Sequence, residues 1–187
     1  MRVISGTARG LKLKAPEGMN TRPTTDRIKE SLFNIIAPDL YDICFLDLFS
    51  GSGSMGIEAL SRGAAKAYFS DNNRKSISVI NDNISRAHLS DKAVVMQCDF
   101  LQALQRIKAA GDKIDIAFLD PPYNTDLAVR AMESIVRLDL LSDGGYIIAE
   151  QAQGEPDIDI DGLAVTRVKD YKTTKMTFLS KKTKEDQ

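Results

Sequence analysis

The chain has few of the side chains on which metal sites and many hydrolytic sites depend, since its 187 residues include two cysteines and one histidine. Cys44 and Cys98 lie in apolar, strand-like runs without metal-ligand spacing, which predicts buried thiols in a reducing compartment. His88 lies near the end of a predicted helix, and we assign it no role as a general base. The sequence therefore predicts no metal site.

Long hydrophobic runs are also missing. No apolar run approaches the roughly 18 residues that a membrane-spanning helix requires, and the opening MRVISGTARG has no apolar segment of the kind found in secretory signals. We therefore expect a cytoplasmic protein. Hydrophobic residues make up 43% of the sequence, which is enough for one good-sized core, so one domain with terminal elaborations is expected.

Charge of one sign is not in excess, with 25 basic and 26 acidic residues. Bulk charge therefore does not indicate a nucleic-acid partner, but the distribution of charge is uneven. Residues 1–30 contain seven Lys/Arg against three acids, and residues 165–184 contain seven against one. Both ends are basic while the middle is acidic, and this asymmetry bears on the choice of partner.

From residue 43 onward, short apolar runs alternate with stretches of helical periodicity. This alternation predicts a parallel sheet with helices on both faces. Two further strands around a turn at Lys172–Thr174 predict a closing antiparallel hairpin. The predicted parallel strands span residues 43–49, 65–71, 93–99, 114–120 and 145–151.

The residues before the sheet have a different pattern. Residues 2–18 contain three glycines and no helical period, which predicts a small β-ribbon or loop. A helix is predicted next, capped by Thr25 or Asp26, with Ile28, Leu32 and Ile35 on one face, and it ends at Pro38. The predicted division is therefore an extension over 1–38 and a main domain over 39–187.

A glycine-rich loop, DLFSGSGSMG, follows the first strand and places Gly51, Gly53 and Gly56 in G-x-G-x-x-G spacing. Alone, this spacing fits either a nucleotide-like ligand or a tight turn. Asp71 lies 20 residues beyond Gly51, where dinucleotide enzymes place a ribose-binding acid. Asp47, however, would repel a pyrophosphate and attract the ammonium and sulfonium of S-adenosylmethionine. This acid favours S-adenosylmethionine over NAD.

Acids also follow the later strands. Asp99 ends the third predicted strand and precedes Phe100, so the acid can accept the adenine amino group while the ring packs on the adenine face. Asp120 ends the fourth. Ligands of open α/β sheets bind at the carboxyl ends of the strands, which is where these acids are predicted to lie.

The segment Asp120-Pro-Pro-Tyr123 suits the methylation of an exocyclic amino group. The amino lone pair is delocalised into the ring, and two acceptors, the Asp120 carboxylate and the Pro121 carbonyl, favour rehybridisation and stabilise the developing charge. Pro122 restricts the residue before it to extended conformations. Tyr123 offers a stacking face, worth roughly 1–3 kcal/mol per base, for a base that must be flipped out.

Three blocks of the sequence, FLDLFSGSGSMGIEALSRGA, FLDPPY and RPTTDRIKESLFN, resemble the RsmD-type 16S rRNA (guanine-N2)-methyltransferases. The resemblance implies a Rossmann-like class I methyltransferase fold, seven-stranded and mostly parallel, with a C-terminal antiparallel hairpin. It implies S-adenosylmethionine as the cofactor and 16S rRNA or an assembling small ribosomal subunit as the partner, and we expect the enzyme to be a monomer. The predicted catalytic residues are Asp120, Pro121 and Tyr123, and the predicted cofactor-binding residues are Asp47, Phe49, Gly51, Gly53, Asp71, Asn72, Asp99 and Phe100; the resemblance implies the roles of Asp47, Gly51, Gly53, Asp71, Asp99, Asp120 and Tyr123.

One departure from that family occurs at Asn73, where many relatives have an acid. The basic N-terminal segment would contact rRNA phosphates, with Arg22 and Thr24 also bordering the cofactor pocket. The residues assigned to RNA or substrate contact are Arg9, Arg22, Thr24, Arg27 and Lys29. The alternatives are a DNA adenine or cytosine amino-methyltransferase, an NAD-dependent oxidoreductase and a non-catalytic RNA-binding assembly factor.

Overall fold

The computed structural model describes residues 1–16, 26–123 and 125–182. The chain forms two compact units, Met1–Asp99 and Phe100–Gln187. These units differ from the predicted division into 1–38 and 39–187, which remains a prediction. Each unit has its own strands and its own buried apolar side chains.

The first unit is built on three parallel strands. β1 pairs with β2 and β2 pairs with β3, with Leu46 opposite Tyr68 and Phe69 opposite Val95. Phe45 and Leu46 are fully buried, as expected for a short strand that is covered on both faces. The elements of this unit are α1 (Asp26–Ile35), β1 (Cys44–Asp47), α2 (Ser54–Ser61), β2 (Lys66–Asp71), α3 (Arg74–Arg86) and β3 (Ala93–Gln97), with short 3₁₀ turns at Ala37–Asp39 and Ser90–Lys92.

The second unit combines a parallel strand pair with an antiparallel hairpin. β4 and β5 are parallel, whereas β7 runs antiparallel to both β5 and β6. The predicted hairpin around Lys172–Thr174 is therefore confirmed. The elements of this unit are α4 (Phe100–Ala110), β4 (Ile114–Leu119), α5 (Leu127–Arg137), β5 (Leu141–Ala152), β6 (Leu163–Asp170) and β7 (Thr174–Lys181).

The fifth strand begins earlier than the sequence pattern predicts, at Leu141 instead of residue 145. Ile114 pairs with Leu141 and Ile116 pairs with Tyr146, so residues 142–145 form a bulge within the strand. Gly144 has φ of 80° in this bulge. The polar and glycine residues that mark a turn in the sequence thus serve as the bulge.

The predicted fold class is confirmed. The strand order is β3-β2-β1 in the first unit and β4-β5-β7-β6 in the second, and the strand pairs within each unit are parallel except for those that involve β7. Within the described part of the chain, we find no helix with the length and apolar character needed to cross a membrane.

The first residues form an N-terminal ribbon, defined here as residues 1–14. Arg2 and Lys12 form an isolated antiparallel bridge, and the Val3 amide donates to the Leu11 carbonyl at 3.0 Å. Val3 and Leu13 are buried. The ribbon is therefore packed against the rest of the first unit through these two apolar side chains.

The anchor of the ribbon is the buried carboxylate of Glu58 on α2. It accepts hydrogen bonds from the backbone amides of Ile4 at 2.8 Å and Ser5 at 3.0 Å. It also pairs with the Lys29 ammonium at 3.2 Å and the Arg62 guanidinium at 2.8 Å. One carboxylate thus connects the ribbon, α1 and α2. Its buried negative charge is compensated by the cations of Lys29 and Arg62.

Lys29 therefore corrects a sequence prediction. We expected it to contact RNA phosphates, but its side chain has no exposed surface and its Nζ donates to the Arg2 carbonyl at 2.6 Å. The buried face of α1 consists of Lys29, Leu32 and Phe33, not the predicted Ile28, Leu32 and Ile35. Lys29 pairs with the buried Glu58 carboxylate, so a charged residue belongs to the buried face of this helix.

Two ribbon glycines allow a direct test of this docking. Gly6 and Gly10 have φ of 85° and 86°, so alanine at either position meets similar backbone strain of about 1–2 kcal/mol. A Cβ at Gly6 would also collide with the Ser61 carbonyl, whereas one at Gly10 meets nothing within 4 Å. We expect Gly6→Ala to lower the free energy of unfolding by about 1–3 kcal/mol more than Gly10→Ala, measured by urea denaturation. Equal losses would contradict the docking.

Candidate cofactor and catalytic site

The glycine loop, residues 48–53, leads from β1 to α2. Gly51 and Gly53 have φ of 56° and 75°, a left-handed conformation that other residues adopt only at a cost. Gly53 is also the N-cap of α2. A Cβ placed on Gly51 would meet nothing within 4 Å, so the loop borders open space at this residue and leaves room for a ligand.

The third glycine of the motif, Gly56, serves packing. A Cβ on Gly56 would collide with the ring of Phe69 on β2. Glycine here lets α2 approach the sheet closely, as the third glycine does in nucleotide-binding folds. The motif therefore combines two loop conformations with one helix–strand contact.

Serine side chains fasten the glycine loop to the sheet. The Ser50 hydroxyl donates to the Asp47 carbonyl at 2.6 Å and accepts from the Ser70 amide at 3.0 Å. The Ser50 amide donates to the Ser70 carbonyl at 2.9 Å, and the Gly53 amide donates to the Ser50 carbonyl at 2.7 Å. The path of the loop is therefore fixed by β1 and β2.

Asp71, at the end of β2, supports the same loop. Its Oδ2 accepts from the Gly51 amide at 3.0 Å and its Oδ1 accepts from the Asn73 amide at 2.8 Å. The side chain is half-buried, and each carboxylate oxygen can accept a further hydrogen bond. Its contact with the ribose hydroxyls of a cofactor stays a prediction, and this geometry leaves acceptor capacity for such a contact.

Asp47 is the last residue of β1 and is buried. Its carboxylate accepts from the Gly56 amide at 3.1 Å, near the start of α2. Burial raises the pKa of Asp47 to about 7, and the negative charge of Asp71 contributes to the increase. A cationic ligand group beside this carboxylate would stabilise its charged form, whereas a pyrophosphate would oppose it.

Asn73 has a local structural role. Its side chain accepts from the Lys75 amide at 2.8 Å and so caps the start of α3. Asparagine and aspartate cap helices about equally well, so this role is compatible with either residue. Asn72 beside it is exposed, and its predicted contact with the cofactor stays a prediction.

The residues predicted to surround the adenine lie after β1 and β3. Phe49 is half-buried in the glycine loop, and Asp99 is exposed two residues beyond the end of β3. Phe100 begins α4 and is buried, with the Arg130 guanidinium 5.6 Å from its ring centroid. The adenine contacts of these residues stay predictions.

The Asp120-Pro-Pro-Tyr motif lies directly after β4, in the second unit. Asp120 is half-buried and Pro121 is buried, whereas the Tyr123 side chain is partly exposed, at 38%. The hydroxyl of Thr125 donates to the Pro122 carbonyl at 2.7 Å. Part of the tyrosine ring is therefore accessible for stacking.

Glu150 is a site residue that the sequence reading missed. It is 4% exposed and lies near the end of β5. Because Leu119 pairs with Ala149, Glu150 is at the strand position next to Asp120. The Tyr123 hydroxyl donates to Glu150 Oε1 at 3.4 Å. Burial and then the charges of Glu150 and Asp120 raise the pKa of Tyr123, so the phenol stays protonated.

The predicted RNA-contacting residues have different fates. Arg9 is exposed on the ribbon and Arg27 is exposed on α1. Lys29 is buried, as described above. Arg22 and Thr24 lie outside the described residues.

The fold places the chain in a class of proteins. Its strand order, glycine loop and C-terminal antiparallel hairpin are those of the Rossmann-like class I methyltransferase fold. The solved structure titled "Putative methyltransferase yhhF from Escherichia coli" is 30% identical, with a TM-score of 0.85 over 97% of both chains. A second structure, "A putative sam-dependent methyltransferase from Streptococcus mutans", shares the fold at 15% identity and a TM-score of 0.66, covering 82% of this chain and 47% of its own.

The family follows from the sequence comparisons. The family model described as "Conserved hypothetical protein 95" matches residues 1–180. "Putative rRNA methyltransferase YlbH" of Bacillus subtilis is 38% identical over 97% of this chain and 100% of its own length. "Ribosomal RNA small subunit methyltransferase D" of Escherichia coli is 35% identical over 80% of this chain and 71% of its own. The chain belongs to this family, the RsmD family, and the resemblance seen in the sequence is confirmed.

The raised pKa of Asp47 gives a pH test of the cofactor site. Below about pH 7 the carboxyl becomes neutral, so it loses its attraction for a ligand ammonium. We expect the affinity for S-adenosylhomocysteine to fall by up to about tenfold per pH unit below that value, measured by calorimetry. Asp47→Asn should bind weakly and lose this pH dependence, while Asp91→Asn, at an exposed 3₁₀ turn, should titrate like the wild type. A variant Asp47→Asn that keeps the dependence would contradict the assignment.

Proposed function

We propose that this chain transfers a methyl group from S-adenosylmethionine to the N2 amino group of a guanine in 16S rRNA. The observation that carries the proposal is the Asp120-Pro-Pro-Tyr turn after β4, with Tyr123 partly exposed, in a member of the RsmD family. Relatives at 38% and 35% identity bear the names of rRNA methyltransferases, which supports an rRNA substrate.

The glycine loop would hold the cofactor, which supplies an electrophilic methyl group when it is bound. The open space at Gly51 accommodates a ligand, and the buried Asp47 carboxylate favours a cationic group over a phosphate. Asp71 keeps acceptor capacity for ribose hydroxyls. These three residues thus fit S-adenosylmethionine better than NAD.

Asp120 and Pro121 would act on the target amino group. The carboxylate and the carbonyl each accept one N–H, which favours an sp³-like nitrogen whose lone pair points away from both acceptors. The carboxylate also stabilises the positive charge that develops on that nitrogen, and it is the group to which the surplus proton can pass. Most of the rate enhancement would then come from positioning and from these two acceptors.

Tyr123 would provide the face on which the flipped base stacks. Its hydroxyl donates to Glu150 Oε1 at 3.4 Å, and burial raises its pKa, so it is a neutral donor. A fixed ring offers its stacking surface with little loss of conformational entropy on binding. Glu150 is therefore a supporting residue of the base pocket in this proposal.

RNA would contact the basic N-terminal segment. Arg9, Lys12 and Lys14 are exposed on the ribbon and Arg27 is exposed on α1. Contacts with phosphates fix the orientation of the RNA without reading its sequence. Action as a monomer and a cytoplasmic location stay predictions.

The assay that tests the proposal is radiolabelled methyl transfer to small ribosomal subunits from cells that lack the gene, followed by mapping of the modified base. We expect label on the N2 of one guanine of 16S rRNA. Label on DNA or on adenine would contradict the proposal and favour a DNA amino-methyltransferase, which shares the Asp-Pro-Pro-Tyr chemistry.

Asp120→Asn tests the assigned acceptor in the same assay. The amide keeps the shape but loses the charge, so we expect kcat to fall by about 10²–10³-fold, while the affinity for S-adenosylhomocysteine changes little. Asp126→Asn is the matched control, because Asp126 forms an exposed ion pair with Arg130. Turnover by Asp120→Asn at the rate of Asp126→Asn would remove Asp120 from the catalytic role.

The salt dependence of RNA binding tests the basic segment. Arg9→Ala should weaken binding to different RNA sequences by similar factors and reduce the slope of log affinity against log salt by about one. Lys108→Ala, at an exposed position on α4, is the control and should leave the slope unchanged. Fluorescence anisotropy with labelled RNA at several salt concentrations measures both. An unchanged slope for Arg9→Ala would place the RNA elsewhere.

A further inference from the structure

Asn83 is a buried polar side chain that the proposed chemistry does not use. It lies on α3 and has no exposed surface. Its Oδ1 accepts from the Lys14 amide at 2.9 Å, and its Nδ2 donates to the Lys14 carbonyl at 3.0 Å and to the Ser52 carbonyl at 3.0 Å. The amide therefore uses both of its donor hydrogens and its acceptor.

One of these hydrogen bonds joins Asn83 to the glycine loop through the Ser52 carbonyl. Ser52 lies between Gly51 and Gly53, in the part of the glycine loop with left-handed backbone conformations. The Ser50 and Asp71 hydrogen bonds fasten the first half of this loop to β1 and β2. Asn83 fastens its middle to α3, so the loop is held from both sides by groups of the protein itself.

The other two hydrogen bonds join Asn83 to the N-terminal ribbon through the backbone of Lys14. This lysine is the last residue of the N-terminal ribbon, and its amide and carbonyl pair with Asn83 as they would with a neighbouring strand. The start of the ribbon is fixed to α2 by Glu58. The Ser61 hydroxyl accepts from the Ala8 amide at 2.9 Å. At Asn83 the ribbon and the glycine loop therefore share one side chain.

The residue type is specific for this position. An asparagine side chain offers two N–H donors and one carbonyl acceptor in a single plane. It can therefore pair with the amide and the carbonyl of one residue and with the carbonyl of another. An aspartate could still accept from the Lys14 amide, but its charge would face two backbone carbonyl oxygens in a buried place. Asn83→Asp therefore breaks the connection with the smallest possible change in shape.

We propose that Asn83 is a positioning residue for cofactor binding, which holds the glycine loop in its binding conformation and makes the N-terminal ribbon part of that support. The proposal rests on the assignment of the glycine loop to S-adenosylmethionine. It adds a residue that does not touch the ligand, and it assigns the ribbon a role in cofactor binding besides its predicted contact with RNA.

The test compares two identical substitutions on the same helix. Asn83→Asp should weaken the binding of S-adenosylhomocysteine by about tenfold or more, and raise KM for S-adenosylmethionine with little change in kcat, because Asn83 does not touch the reacting groups. Asn81→Asp, at an exposed position on α3, should bind as the wild type does. Circular dichroism and thermal melts establish that each variant is folded at the temperature of the titration.

The outcomes separate the two proposals. If the wild type does not bind S-adenosylhomocysteine, the cofactor assignment fails and this inference fails with it. If the wild type binds and a folded Asn83→Asp binds equally well, the inference alone is overturned. A fall in kcat without a change in KM would also overturn it, since it would place the effect on catalysis and not on the loop.

Hydrogen exchange on the wild-type protein keeps the inference testable if Asn83→Asp does not fold. Adding S-adenosylhomocysteine should slow amide exchange in the glycine loop, residues 48–53, and also in ribbon residues 3–14. Exchange in residues 163–170 of the exposed strand β6 is the internal control and should not change. Protection of the loop with no change in the ribbon would overturn the inference.

Discussion

The buried carboxylate of Glu58 is the interaction on which the first unit depends. It satisfies two ribbon amides and two cationic side chains, and the Arg62 guanidinium also lies 5.1 Å from the ring centroid of Phe33. Burial lowers the pKa of Lys29, and the charge of Glu58 opposes that effect. Each member of the cluster is tolerable inside the protein because the others are present.

This cluster explains why the ribbon has a fixed path despite a single bridge between its two sides. Ribbon amides that would otherwise need a partner strand are paired with side chains of α2 and α3, namely Glu58, Ser61 and Asn83. Side chains of the two helices thus supply the hydrogen-bond acceptors that a longer pairing of strands would otherwise supply. The ribbon is consequently placed by the same two helices that flank the glycine loop.

The acids of the cofactor site have two tasks each. Asp47 accepts a hydrogen bond from the Gly56 amide of α2, and Asp71 accepts one from the Gly51 amide. Both acids therefore stabilise the glycine loop in addition to their proposed contacts with the cofactor. Substituting either acid removes a predicted ligand contact and a structural hydrogen bond together. A loss of binding after such a change therefore does not by itself separate a lost ligand contact from a lost support of the loop.

The sequence predicted the elements whose signal is local. The apolar runs of β1 to β4, the glycine spacing and the turn before β7 all follow from neighbouring residues, and the structure has them in the predicted places. Lys29 was misjudged because its partner is 29 residues away in the chain, and a lone lysine in a basic segment looks exposed. Asn83 was missed because its carbonyl partners are backbone groups. Glu150, by contrast, had a readable signal, since it is an acid near the end of an apolar strand like Asp47.

The order of strands in the second unit has a consequence for folding of the chain. β7 lies between β5 and β6, although it follows both in the sequence. Until residues 174–181 have docked, the edge of β5 from Tyr146 to Ala152 has no strand beside it, and β6 lacks the neighbour with which it pairs. Exposed edges of this kind invite pairing with other chains. A folding intermediate in which β7 is detached is therefore open to aggregation through the edge of β5.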